Sequence, residues 1–219
     1  MVINMVKYKY ILFDLDGTLD DPFEGITKSV EYAMKKFGVV CNREDLKCFI
    51  GPPLTDSFMN YFGLDEENAK LAVEYYREYY RPTGIFEVSI YDGIPELLGR
   101  LCASGCELIL ATSKPIVFAD MILEKFGLKK YFAATFGSEL DGTRVKKDEV
   151  IAYALESYPI DKSNAIMVGD RRHDVEGAHA NALPCIGVTF GYGDRAEHIA
   201  CGADYIANNI LELEAIINA

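Results

Sequence analysis

Positive charge is what this chain has least of. Its 219 residues carry 22 lysines and arginines against 34 aspartates and glutamates, a formal net charge of −12 with a pI near 4.7. Proteins that grip a nucleic-acid backbone concentrate cations instead, so nucleic acid is not an expected partner. An anionic small molecule is still admissible if a metal ion and a few placed cations make one pocket locally positive; Lys114, Lys147, Arg171 and Arg172 are the candidates. Long apolar runs are missing too. None approaches the roughly 20 residues of a membrane span, so no membrane partner is expected. The start, Met1 to Lys7, lacks a basic leader followed by an apolar stretch, which makes a cytoplasmic location the default expectation. The six cysteines, Cys41, Cys48, Cys102, Cys106, Cys185 and Cys201, make no C-x-x-C and no zinc-like cluster with the three histidines. Ser104-Gly105 breaks any helix that would bring Cys102 beside Cys106, so reduced thiols are expected. There is no internal repeat and no low-complexity tract.

Against these absences stand two acidic pairs. Asp14 and Asp16 follow the apolar run Tyr8-Lys9-Tyr10-Ile11-Leu12-Phe13 and precede Gly17-Thr18; Asp170 and Asp174 follow Ala165-Ile166-Met167-Val168-Gly169. Each pair lies at or just beyond the exit of a strand that reads as buried. Ionised carboxylates there lose hydration and repel one another unless a cation intervenes, so the pattern points to a metal or phosphate site. Two such exits side by side would make a divalent-cation cage. Taken alone, Asp170 and Asp174 would read equally well as a charge pair at a helix N-terminus.

The spacing predicts a chain in two parts. Ile26, Val30, Ala33, Met34 and Phe37 recur at helical steps up to Gly38; Asn42 then reads as an N-cap, Pro52-Pro53 opens a helix ending near Gly63, and Asp65 caps another from Glu66 to Tyr80. Four consecutive helices make a small bundle. From Ile94 onward strands alternate with helices, the pattern of a parallel sheet covered on both faces. The fold expected is α/β, a three-layer Rossmann-like parallel sheet core (residues 1–20 and 91–219) with an inserted α-helical bundle cap (21–90). The insertion follows the first strand, at whose carboxyl end ligands bind in open parallel sheets, so the cap should act as a lid. Tyr75 to Tyr80 could offer an aromatic wall to a ligand, but at helical spacing such residues usually pack a core.

Here the motifs acquire an order. Phe13-Asp14-Leu15-Asp16-Gly17-Thr18-Leu19 resembles the first motif of the haloacid dehalogenase superfamily, Leu108 to Thr112 the second, Lys147 the third, and Gly169-Asp170 with Asp174 the fourth. The resemblance spans essentially the whole chain and looks closest to the phosphoglycolate phosphatase-like group, some of whose members are 5′-nucleotidases. It implies a Mg²⁺-dependent phosphatase acting on a small phosphorylated metabolite, as a monomer or homodimer. By the same resemblance Asp14 is the nucleophile and Asp16 the general acid and base, meeting the metal through its backbone carbonyl. Asp170 is a side-chain metal ligand, and Asp174 holds metal-bound water or the metal itself. Thr112 and the amide of Ser113 would bind a phosphoryl oxygen, and Lys147 would pair with Asp14 and the phosphate; Lys146 competes for that role. Arg171, with Arg172 and His173, would reach the substrate's far end, or form a solvated loop. Asp20 and Asp21 depart from the residues usual in relatives and could alter cap docking, while Gly51-Pro52-Pro53-Leu54 lies where relatives often probe substrate. Two other functions stay open: a phosphosugar mutase with the same aspartates, and a phosphoryl-accepting binding domain without turnover, which Asp16 and the inserted bundle disfavour.

Overall fold

The computed structural model describes residues 7–219. The chain divides into two compact units: one runs up to Leu19 and resumes from Ile90 to Ala219, and the other is Asp20–Ser89. In the first unit the opening strand β1 (Tyr10–Phe13) is buried at every position, because it lies in the middle of a six-stranded sheet. The two units are joined by short strands, β2 (Asp20–Asp21) and β3 (Ser89–Ile90), which pair with each other. Where the first unit resumes, the amide of Tyr91 donates to the carbonyl of Leu19 at 3.1 Å.

The Asp20–Ser89 unit holds α1 (Phe23–Lys36), α2 (Leu54–Phe62) and α3 (Glu66–Tyr80). Asp65 caps α3 as expected, its carboxylate accepting the Asn68 amide at 2.8 Å. Gly63 ends α2 with φ 68°, the left-handed turn that glycine tolerates. The expected second α-helix is instead a 3₁₀ helix, Arg43–Phe49, with Asn42 as N-cap. Its end closes by the Ile50 amide bonding three residues back to Lys47, the tight spacing used in short pieces. The tyrosine run of α3 packs its own unit: Tyr76 and Tyr80 are buried and stacked at 5.1 Å, Tyr75 meets Phe37 and Tyr79 meets Tyr32.

The remainder alternates: α4 (Ile94–Ala103), β4 (Glu107–Pro115), α5 (Ile116–Lys125), β5 (Phe132–Ser138), α6 (Lys147–Ser157), β6 (Ala165–Gly169), α7 (Arg172–Ala180), β7 (Cys185–Val188), α8 (Arg195–Ala200), β8 (Tyr205–Ala207) and α9 (Ile210–Asn218). The strand order is β5-β4-β1-β6-β7-β8 and every pairing is parallel. Crossovers run one way from β1 to β5 and the other way from β6 to β8, so right-handed connections place α4 and α5 on one face and α6 to α8 on the opposite one. On the second face Tyr10, Leu12, Ile109, Ala111, Met167 and Cys185 form one buried cluster with Val150 and Ile151 of α6 and Val175 and Ala178 of α7. The alternate residues Ile11, Phe13, Leu108, Leu110, Ile166 and Val168 are equally buried, as a sheet covered on both sides requires. Helix α9 returns to α4, joined by Arg100 and Glu214 at 2.7 and 2.8 Å.

Register then decides what meets. Phe13 pairs with Leu110 of β4 and with Val168 of β6, so the residues following those three positions emerge together at one end of the sheet. β4 runs on to Pro115, beyond its apolar segment, with an irregularity between Thr112 and Pro115. Leu12 anchors this arrangement, fully buried in the central strand. Leu12→Ala is expected to cost about 2–5 kcal/mol, read as a lower urea midpoint in equilibrium unfolding with an unchanged slope.

Candidate active site

Asp14 is the first residue beyond β1, and its amide donates to the Val168 carbonyl at 2.9 Å, tying the β1 exit to β6. Asp170 is the first residue beyond β6. Asp174 sits in the first turn of α7, where its Oδ2 accepts the Arg171 amide at 3.0 Å; this cap starts the helix at Arg172. All three carboxylates are buried, and one oxygen from each lies within 4.8 Å of the others.

Two lysines serve this cluster and its neighbour. Lys147, the first residue of α6, places its Nζ 2.7 Å from Asp14 Oδ1 and 2.8 Å from Asp174 Oδ1. It donates a hydrogen bond to the Ala111 carbonyl at 3.0 Å. Lys146 is exposed and precedes the helix, so of the two expected candidates only Lys147 joins the aspartates. The two carboxylate oxygens stand at ion-pair distance from Lys147 without an aligned hydrogen bond, and Asp170 Oδ1 is buried with no hydrogen-bond partner. Asp16 is placed differently: both of its oxygens lie 2.6 Å from Lys114 Nζ.

The electrostatics follow from burial. Desolvation pushes the Asp170 carboxyl well above the usual carboxylate range, and Asp174 and Asp14 add to it. Burial likewise raises Asp174 against the pull of Lys147, and raises Asp16 against the pull of Lys114. For Lys147 burial works against the charge, but Asp14 and Asp174 outweigh it and hold the ammonium protonated above the ordinary lysine value. Asp14, Asp16, Asp170 and Asp174 set against Lys114 and Lys147, all buried, leave two negative charges when all are ionised. Carboxylate oxygens only, an unsatisfied buried oxygen on Asp170 and a deficit of two charges suit one hard divalent cation such as Mg²⁺.

Thr112 is buried at the end of β4, its Oγ1 accepting the Lys114 amide at 3.2 Å, which leaves the hydroxyl proton free to donate elsewhere. Ser113 follows in the same extended stretch, its carbonyl accepting from Ser138 at 2.8 Å. Arg171 directs its Nε to Glu197 of α8 at 3.1 Å, while its positive charge draws the adjacent Asp170 carboxyl down against burial. One supporting segment has no counterpart in the motif reading: the β7–α8 loop, whose Tyr192 amide donates to Asp170 Oδ2 at 2.8 Å. A Cβ at Gly191 would lie 2.0 Å from the Gly17 carbonyl and 2.6 Å from Asp170, so backbone approaches backbone directly there. The pattern Gly191-Tyr192-Gly193 just after an apolar strand is the sequence signal for it.

A parallel sheet whose central strand delivers carboxylates to a lysine-braced, oxygen-only cluster defines an α/β enzyme of the hydrolytic, phosphoryl-handling kind. Residues 11–188 match the haloacid dehalogenase-like hydrolase family, and the chain belongs to it. The crystal structure of a predicted phosphatase from Clostridium acetobutylicum superposes with a TM-score of 0.94 at 51% identity, over 96% of this chain and 98% of that one. A 5′-nucleotidase of Pseudomonas aeruginosa is 48% identical over 195 residues, 88% of this chain and 87% of its own length. The tyrosine-protein kinase PtkA of Mycobacterium tuberculosis is 39% identical over 190 residues, 86% of this chain but 64% of its own length. Within its family the chain is placed as an enzyme among the phosphatases.

The raised carboxyls carry a stability consequence. Groups whose folded-state pKa lies above the unfolded value stabilise the fold below the unfolded value and lose that contribution as pH rises through the folded one. Metal-free Asp170→Asn is therefore expected to melt a few degrees above metal-free wild type at neutral pH, with the gap closing as pH falls toward the ordinary carboxylate value. Added Mg²⁺ should raise the Tm of wild type and leave that of the variant unmoved; differential scanning calorimetry checks both.

Proposed function

We propose that this protein is a Mg²⁺-dependent phosphatase that hydrolyses small phosphate monoesters, nucleoside 5′-monophosphates first among them, through an aspartyl-phosphate on Asp14. The observation that carries the reading is the separation of roles among four buried aspartates: Asp14, Asp170 and Asp174 share one cluster, while Asp16 is held apart by Lys114. The nucleotide preference rests on the likeness to the Pseudomonas 5′-nucleotidase.

In this reading Asp14, Asp170 and Asp174 would hold Mg²⁺, which when bound neutralises phosphoryl oxygens and lets an anionic nucleophile meet an anionic substrate. Lys147 orients Asp14 from 2.7 Å. The Thr112 hydroxyl and the Ser113 amide donate to phosphoryl oxygens at the end of β4. One Asp14 carboxylate oxygen attacks phosphorus; the ester P–O bond breaks, and Asp16 passes its proton to the leaving oxygen. Asp16, now ionised, takes a proton from water, whose oxygen attacks the same phosphorus. The bond to Asp14 breaks, and inorganic phosphate leaves with Asp14 restored. The inserted helical unit serves as the cap.

The likeness to PtkA favours a second reading, in which the phosphoryl group passes to a protein tyrosine instead of water. The two differ in the acceptor. Steady release of inorganic phosphate from p-nitrophenyl phosphate and nucleoside 5′-monophosphates, abolished by EDTA and restored by Mg²⁺, is expected for the hydrolase. A single stoichiometric burst, or phosphate found only on protein, would count against it. A panel adding phosphoglycolate and sugar phosphates, ranked by kcat/KM, names the substrate class. Asp14→Asn should lower turnover by at least about 10³-fold with an unchanged circular dichroism spectrum; turnover near wild type would remove Asp14 as nucleophile.

A further inference from the structure

Asp16 lies two residues beyond Asp14 on the same strand exit, near enough for the Asp14 charge to act on its carboxyl. A carboxylate bound to the metal would have little capacity left to carry a proton. The structure holds it elsewhere. Lys114 Nζ stands 2.6 Å from both Asp16 oxygens, with the two side chains 4% and 11% exposed, and no Asp16 oxygen is part of the three-carboxylate group. The lysine is itself well anchored. It sits in β4, its amide bound to Thr112 Oγ1, and β5 presses against its backbone so closely that a Cβ at Gly137 would fall 2.7 Å from the Lys114 carbonyl.

We propose that Lys114 is a positioning residue that keeps the Asp16 carboxylate off the metal. The inference rests on the reading of Asp16 as acid and base. It makes Thr112-Ser113-Lys114 one device: the threonine faces the phosphoryl group, and the lysine two positions on fixes the proton carrier. The buried ammonium groups divide the aspartates between them, Lys147 taking Asp14 and Asp174, and Lys114 taking Asp16.

The test uses the metal-free full chain, with Mg²⁺ affinity read by isothermal titration calorimetry alongside kinetics. In Lys114→Met, Asp16 is released to the cluster, so Mg²⁺ should bind at least about fivefold more tightly, since affinity follows ligand charge and number. At the same time kcat should fall about 10²-fold, the usual worth of a placed acid–base group, with KM nearly unchanged. Loss of the lysine's charge alone would also tighten binding, and the Asp16→Asn background separates the two: there, adding Lys114→Met should shift Mg²⁺ affinity less than twofold. Lys114→Arg should recover part of the kcat. If Lys114→Met does not fold, Lys114→Gln carries the same expectations. Mg²⁺ affinity and kcat both within twofold of wild type, or a tightening that persists in full without Asp16, would overturn the proposal. A wild-type protein that hydrolyses no phosphate ester would instead overturn the functional reading, and the calorimetry would still report on Lys114.

Discussion

Mutual repulsion among carboxylates withdrawn from water is the constraint around which this molecule is arranged. Asp14, Asp170 and Asp174 are brought within a few ångströms of one another at the end of a buried sheet, where burial and neighbouring carboxylates push the Asp170 and Asp174 carboxyls up. Nothing about a stable core asks for this. The arrangement persists because Lys147 offsets part of the charge from the first turn of α6, and because main-chain donors at Arg171 and Tyr192 hold two of the carboxylates in place. What is left over is an excess of two negative charges, which suits one hard divalent cation.

The sheet converts this electrostatic problem into geometry. Since β1 is flanked by β4 and β6 in parallel register, three separate stretches of sequence bring polar groups to one end of the sheet, Asp14 and Asp170 just beyond β1 and β6 and Thr112 and Lys114 within the last residues of β4. Each contribution is short: two aspartates from β1, a threonine and a lysine from β4, one aspartate from β6. Helices α6 and α7 then bring Lys147 and Asp174 in from the face they already cover. The same packing that stabilises the fold thus fixes the site, so loss of core volume at Leu12 and loss of charge at Asp170 perturb different terms of one structure.

Much of this was legible in the chain because the signals were local. The apolar runs before Asp14 and Asp170 delimit β1 and β6, Asp65 caps α3, and the switch from helical to alternating rhythm near Ile94 marks the return to the sheet. The parts that were not legible depend on contacts distant in sequence. Lys114 stands out only as a cation near a strand end until the β1–β4 register sets it beside Asp16, 98 residues away. The choice between Lys146 and Lys147 turns on which one opens α6 facing inward. β4 outruns its apolar segment because Thr112, Ser113 and Lys114 find polar partners while extended, which hydrophobic pattern alone does not register. Arg171 follows Asp170 directly in the motif, and its pairing with Glu197 comes from α8, 26 residues on.

The hydrogen bond from the Tyr91 amide to the Leu19 carbonyl has a bearing on the length of the insertion. It holds the two ends of a seventy-residue excursion together at 3.1 Å, so the sheet unit is closed across the gap by one backbone hydrogen bond. Closing such a loop costs an entropy that grows only slowly with its length. Insertions of quite different length could therefore be accommodated at this junction while β1 and its neighbours in the sheet stay undisturbed.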